Sequence, residues 1–158
     1  MRQTMKQFLF AAALVLSGAL VGPVATAAAT DASIKALISG HESKIVADEG
    51  RLLTAIGEFK KSANPTAVEA ADKVVISDLR TLASKLSKLR ASTVPVKLGK
   101  SKFDKGLLTI AIAYSKLEKV FAEQAHAPSA ALAESKKVLK AVKKGQRQLQ
   151  AGVKLLNS

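Results

Sequence analysis

The sequence has no cysteine and no tryptophan, and only four of its 158 residues are proline. Without cysteine the chain has no disulfide framework, no thiol nucleophile, no Cys-attached lipid and no Cys-ligated metal. Aromatic residues make up 4% of the chain, so few rings are left to stack on nucleic-acid bases. The scarcity of proline, with many Ala, Leu, Lys and Val residues, favours helix over sheet.

What the sequence does have is hydrophobic content and positive charge. Hydrophobic residues make up 48% and charged residues 23%, which is a globular composition too apolar for intrinsic disorder. The formal net charge is +13, and it is unevenly distributed. Residues 95–158 hold thirteen Lys or Arg and four Asp or Glu, whereas residues 30–94 hold ten and eight. The cationic character therefore belongs to the C-terminal half.

The first 29 residues have the three-part pattern of a secretory signal peptide. Arg2 and Lys6 give a positive start, and residues 8–21 form an uncharged apolar run. That run is shorter than the roughly 20 residues that a membrane-spanning helix needs. A Gly-Pro step and a run of small residues follow, so that cleavage is expected after Ala27 or Ala29. We expect an exported protein, secreted, periplasmic or held at the cell envelope, with no transmembrane span after cleavage.

Residues 30–158 are predicted to form one all-α domain, an up-down-up-down four-helix bundle made of two antiparallel helical hairpins. Apolar residues recur every three or four positions in four stretches, and breaks near Pro65, Pro95 and Pro128 separate the stretches. The predicted seams are Ile34, Ile38, His41, Ile45, Asp48, Leu52, Ile56 and Phe59; Val68, Val75, Leu79, Leu82, Leu86 and Leu89; Phe103, Leu107, Ile110, Tyr114, Leu117 and Phe121; and Val138, Val142, Leu149, Val153 and Leu156.

The element boundaries follow from capping patterns. The first helix is expected over 31–62, and the second ends near residue 90. Residues 92–100 are expected to form the longest connection, with Ser101 capping the third helix. Gly145 and Gly152 lie close to the apolar face of the last helix, which predicts the close approach of a neighbouring helix.

The last helix is amphipathic with a cationic back, and no acidic residue follows Glu134. The candidate anion-binding residues are Lys136, Lys140, Lys143, Lys144, Arg147 and Lys154. Three interpretations stay open: a solvated face that keeps the protein soluble, contact with anionic envelope polymers or lipid head groups, and a helix lying on a membrane surface. Because the aromatic residues of the mature chain fall in the seams, any nucleic-acid contact is expected to be with phosphates and without sequence specificity.

Polar residues in the seams suggest a second candidate site. His41, Asp48 and Tyr114 fall at similar heights in helices that run the same way. A buried His beside a carboxylate can transfer protons or hold a small ligand, and a hydrogen-bonded layer that fixes helix register is the alternative. This polar core layer supports the competing function, a small-ligand or proton-handling bundle.

Other candidate patterns are weaker. Glu123 and His126 have the spacing of one di-iron motif, but such a site needs two motifs and two further Glu residues, so we expect no metal and no cofactor. Leu108 and Ile112 are expected on the outer side of the third helix, as isolated apolar residues or as a small docking patch. Because no nucleophile and base can be paired, we expect a non-enzymatic exported protein that contacts anionic polymers or surfaces through its last helix.

Overall fold

A computed structural model describes residues 29–62, 64–124 and 127–158, and this part of the chain is helical with no strand. Its helices are α1 (Ala29–Ser62), α2 (Thr66–Lys88), α3 (Val94–Tyr114), α4 (Leu117–Gln124) and α5 (Pro128–Leu156). The all-α helical bundle is confirmed. Residues 1–28, which hold the predicted signal peptide up to Ala28, lie outside the described residues. No helix in the described ranges is long and apolar enough to cross a membrane.

The predicted seams form the core. Every hydrophobic seam residue is buried except Leu89 and Val153, which are partly buried and pack against the core. Each fully buried Val, Leu, Ile or Phe contributes about 1.5–3 kcal/mol relative to an exposed one. Phe59 of α1 meets Phe121 of α4 edge to face, with ring centroids 4.7 Å apart. The seams therefore hold all the helices against one shared interior.

The third predicted helix is two consecutive segments, α3 and α4. Only Ser115 and Lys116 separate them. The Ser115 hydroxyl donates to the carbonyl of Ile112 at 2.8 Å, and the Lys116 N–H donates to the carbonyl of Ala113 at 3.2 Å, an i→i−3 bond. The backbone bond closes a turn that is tighter than an α-helical one, and the side-chain bond occupies a carbonyl that an α-helix would pair with a backbone N–H. The apolar seam continues across the junction, because Leu117 and Phe121 are buried like the seam residues of α3.

The start of α3 differs from the prediction. The helix begins at Val94 with Pro95 in its first turn, so most of the expected 92–100 connection is helical. Proline is tolerated there because the N–H groups of a first turn have no partner within the helix. Asp31 of α1 takes the place of the expected Ser101 cap. Its carboxylate accepts the N–H of Ser92 at 2.7 Å, the N–H of Thr93 at 3.1 Å and the hydroxyl of Thr93 at 2.7 Å.

Among the helices that the structure describes, α3 and α5 make the most extensive contact, and glycine makes their close approach possible. A Cβ at Gly152 would lie 2.9 Å from the carbonyl oxygen of Gly99, and a Cβ at Gly145 would lie 3.0 Å from that of Gly106. The order of these contacts makes the two helices antiparallel. The predicted close approach at Gly145 and Gly152 is confirmed, and the glycines that face them on α3 are a finding of the structure.

Candidate anion-binding groove

A groove of about 920 Å³ runs along α5, beside α3. Its lining is cationic, because seven of the ten lining residues are Lys or Arg and none is acidic. We call this feature the cationic groove. It is lined by Lys102, Lys105, Lys136, Leu139, Lys140, Lys143, Lys144, Arg147, Gln148 and Ala151.

The groove gathers most of the cations that the sequence nominated. Of the six candidates on α5, only Lys154 does not line it; that residue lies exposed near the end of the helix. Lys102 and Lys105 come from α3 and were not in the predicted set. They lie there because the glycine contacts bring α3 against α5, with a hydrogen bond of 3.0 Å between Thr109 Oγ1 and Gln148 Oε1. The sequence alone could not predict that these two lysines line the groove, because that requires knowing which helix packs against α5.

The groove cations have no acidic partners in the part of the chain that the structure describes. The one acid of α5, Glu134, pairs with Lys137, which does not line the groove. That hydrogen bond from Lys137 holds the pKa of Glu134 below its usual value. The negative charge nearest in sequence to the α5 cations is therefore already engaged. With no ion pair to any groove cation among the described residues, all seven remain available to an external anion.

The arrangement has a cost for the isolated helix. Lys136, Lys140 and Lys144 follow each other at i,i+4, and Lys143 and Arg147 do the same. Like charges at this spacing destabilise a helix by about 0.2–0.5 kcal/mol per pair. A bound polyanion would remove that repulsion. The row of like charges therefore destabilises α5 less when an anion lies along the helix than when it does not.

The aromatic rings within the described residues are not available for stacking. Phe59, Phe103, Tyr114 and Phe121 are all buried, none more than 8% exposed. Base stacking on aromatic side chains is the usual source of affinity for single-stranded nucleic acid. The charged groups that the groove offers are six Lys and one Arg, with no ring among its lining residues. Lysine acts as a point charge without the planar fork that gives arginine its geometric specificity.

The three residues of the predicted polar core layer each have hydrogen-bond partners outside that layer. His41 is half-buried; its Nδ1 lies 3.0 Å from the carbonyl oxygen of Leu37, and its Nε2 lies 3.1 Å from Lys85 Nζ. The Asp48 carboxylate, although buried, accepts hydrogen bonds from Lys44 at 3.0 Å and from Arg51 at 2.7 Å. Both residues therefore lie at the edge of the α1–α2 contact, with cations beside them.

Tyr114 has a different carboxylate partner. Its hydroxyl donates to Glu49 Oε1 at 3.1 Å, and both side chains are buried. Burial, then the charge and hydrogen bond of Glu49, raises the pKa of Tyr114 well above its ordinary value, so the hydroxyl stays protonated. The correction to the sequence prediction is one position on α1: Glu49, not Asp48, faces the tyrosine. Successive helical residues point about 100° apart, and a wheel cannot decide which of two edge residues meets a distant helix.

Asp72 of α2 completes a buried acidic layer, which we define as Glu49, Asp72 and Tyr114. Its side chain is 3% exposed, and its Oδ1 has no hydrogen-bond partner. Burial, reinforced by the nearby charge of Glu118, raises the pKa of Asp72 to about 7. Sequence reasoning missed this residue, although its signal was present. The α2 seam steps seven positions from Val68 to Val75, and Asp72 occupies the skipped core position.

The metal prediction can be compared only in part. His126 of the Glu123–His126 motif lies outside the described residues. Within the described ranges, no group of three or more His, Asp or Glu side chains is arranged to hold a metal ion. A comparison of the chain with known protein families, with curated proteins and with solved structures finds no match.

Proposed function

We propose that this protein is an exported, non-enzymatic component of the cell envelope or its surroundings, which binds anionic polymers or surfaces through the cationic groove. The observation that carries the proposal is the set of seven Lys and Arg side chains that line one groove without an acidic residue among them. A solvated solubilising face would serve equally well with acids interspersed, as mixed charges do on most protein surfaces.

A polymer or an extended surface suits the groove better than a small anion. The α5 cations extend from Lys136 to Arg147, a distance of about 16 Å at a rise of about 1.5 Å per residue. One small anion would engage two or three of them. A chain of repeated phosphates, sulfates or carboxylates can engage the whole row, and binding would then depend strongly on salt.

Export and topology belong to the same proposal. The signal-peptide pattern of residues 1–29 and its cleavage after Ala27 or Ala29 would deliver residues 30–158 to the envelope or the exterior. For those residues we propose the up-down-up-down order. It is supported by three contacts between α1 and the region from Ser92 to Phe121 that follow the same sequence order: Asp31 with Thr93, Glu49 with Tyr114, and Phe59 with Phe121.

The proposal is tested by charge reversal with a charge-matched control. The groove variant changes Lys136, Lys140, Lys143 and Arg147 to Glu; the control changes Lys35, Arg80, Lys88 and Arg90 to Glu, so both variants have the same net charge. We expect the groove variant to bind immobilised heparin at least about tenfold more weakly. Each exposed ionic contact is worth about 0.2–1 kcal/mol, and a tenfold change needs about 1.4 kcal/mol.

The control variant should keep most of the wild-type retention, measured as the salt concentration of elution. Equal losses in the two variants would mean that only net charge matters. Unchanged retention of the groove variant would remove the groove from the binding surface altogether. Circular dichroism of both variants checks that the helices persist.

A second candidate, proton handling in the core, retains one specific observation. Asp72 has a pKa raised to about 7 by burial and lies near the buried Tyr114–Glu49 pair. The proton of such a carboxyl exchanges in the neutral range, as in a proton-handling site. Isotope-edited NMR of the Asp72 carboxyl carbon would test this candidate, and a titration midpoint near the ordinary value for Asp would exclude it.

A further inference from the structure

The outer face of α3 carries large apolar side chains as well as the inner one. Four large side chains on it are exposed, although α3 also buries Phe103, Leu107 and Ile110 in the core. We call these four residues the apolar stripe. They are Val94 (70% exposed), Leu98 (51%), Leu108 (41%) and Ile112 (56%).

The apolar stripe and the cationic groove form one continuous surface. Leu98, Lys105, Leu108 and Ile112 are spaced seven, three and four residues apart, so they share one helical face. Lys105 also lines the groove, as does Lys102, four residues after Leu98. The stripe extends over about 27 Å at a rise of about 1.5 Å per residue. A partner that covers it therefore also meets the cations between α3 and α5.

The charge beside the stripe narrows the choice of partner. A second copy of this chain, packed symmetrically on the stripe, would bring two cationic grooves towards each other, since an isologous interface uses the same patch on both subunits. A purely hydrophilic polyanion would satisfy the lysines and leave the four apolar side chains in water. The partner that matches both features presents anionic groups at the level of the lysines and hydrocarbon directly beneath them.

We propose that the apolar stripe docks on the surface of an anionic lipid bilayer, with α3 lying in the plane of the head groups. This inference rests on the proposed function, because the groove cations supply the attraction to the lipid phosphates. Helices of this kind bury an apolar face about 5–10 Å into the head-group region while basic residues remain at its level. Lys102 and Lys105 can extend their ammonium groups to the phosphates while their methylene stems lie against the lipid.

A single tryptophan reports directly on the docking, because the natural chain has none. In the variant Leu108→Trp, the emission should move to shorter wavelength when vesicles containing phosphatidylglycerol are added, because the indole enters an apolar environment. Vesicles of phosphatidylcholine alone should leave it unchanged. The matched control is Val46→Trp: Val46 has a similar exposure, 45% against 41%, but lies on α1. A shift in both variants, or in neither, overturns the inference.

A second set of variants separates this inference from the proposed function. Leu98→Ser, Leu108→Ser and Ile112→Ser together should weaken binding to phosphatidylglycerol vesicles by about tenfold or more, equivalent to about 1.4 kcal/mol, and leave heparin retention unchanged. Unchanged vesicle binding, equal binding to phosphatidylcholine vesicles, or a stripe-dependent dimer in sedimentation would overturn docking on an anionic bilayer. Heparin retention that survives reversal of the groove charges would instead defeat the proposed function.

Discussion

At the scale of single residues, the sequence indicated that the core contains polar groups but identified only one of the three that form its acidic layer. Tyr114 was found because it occupies a regular seam position. Glu49 was missed in favour of Asp48, since both border the buried face of α1 and only the position of α3 decides between them. Asp72 could have been found from the gap in the α2 seam, where a core position is occupied by an acid.

The buried Asp72 makes a pH-dependent prediction. Its pKa is raised from 3.8 to about 7, so the folded state binds a proton more tightly than the unfolded state does. The contribution of the protonated Asp72 carboxyl to the free energy of unfolding is complete below the pKa of the unfolded state, 3.8. It is lost as the pH rises through the pKa of the folded state, about 7. Asp72→Asn should therefore stabilise the protein less at pH 5, where the folded wild type still holds its proton, than at pH 8, where the substitution removes a buried charge worth roughly 1–3 kcal/mol.

Urea unfolding of the wild type and of Asp72→Asn at the two pH values measures this difference. Asp78→Asn is the control, because the Asp78 carboxylate forms an ion pair with Lys44. That change should not stabilise the protein at pH 8, because it removes an ion pair. The same stability difference for Asp72→Asn at pH 5 and pH 8 would show that Asp72 does not titrate between them.

At the scale of helices, most boundaries and seams could be predicted, because apolar period and proline breaks are local signals. The exception is Pro95, which the sequence pattern predicts to lie in a loop but which lies in the first turn of α3. The signal that anchors this end comes from Asp31, 62 residues before Thr93 in the chain. Hydrophobic periodicity cannot reveal contacts between residues that lie so far apart in the sequence. It also cannot reveal which glycines of α3 face those of α5.

The glycine contacts give a prediction with opposite signs at two positions. In Gly152→Ala the new Cβ would lie 2.8 Å from the backbone nitrogen of Phe103, which cannot rotate away, so α3 and α5 must separate. We expect a loss of about 1–3 kcal/mol, as for other overpacked sites. In Gly50→Ala the Cβ meets nothing within 4 Å, and this exposed helical site should gain about 0.5–1 kcal/mol.

Urea denaturation of both variants tests the pair. Because separation of the helices would also move Lys102 and Lys105 away from α5, Gly152→Ala should weaken heparin retention as well. Gly50→Ala should leave retention as in the wild type. A stabilising effect at both positions would mean that α3 and α5 are not held at glycine contact distance.

At the scale of the whole molecule, the charge asymmetry of the sequence leads to a cationic surface on one helix pair. α3 has four Lys and one Asp, and α5 has six Lys, one Arg and one Glu. Five of the six predicted binding residues line the groove, because a helical wheel reliably separates the back of one helix from its seam. The two groove cations of α3 required the packing of the helices, whereas the exposure of Leu108 and Ile112 in the apolar stripe was expected from the sequence and is confirmed.

The most direct test of the central claim is the salt dependence of binding to a labelled oligothymidylate, used as a model polyanion. Log K should fall linearly with log salt, with a slope near −5 if all seven groove cations engage, at about 0.7 per contact for a single strand. Reversal of Lys136, Lys140, Lys143 and Arg147 should reduce the steepness by about 3, and the charge-matched control should keep it. A slope near zero, or the same slope in the groove variant as in the wild type, would contradict binding through the groove.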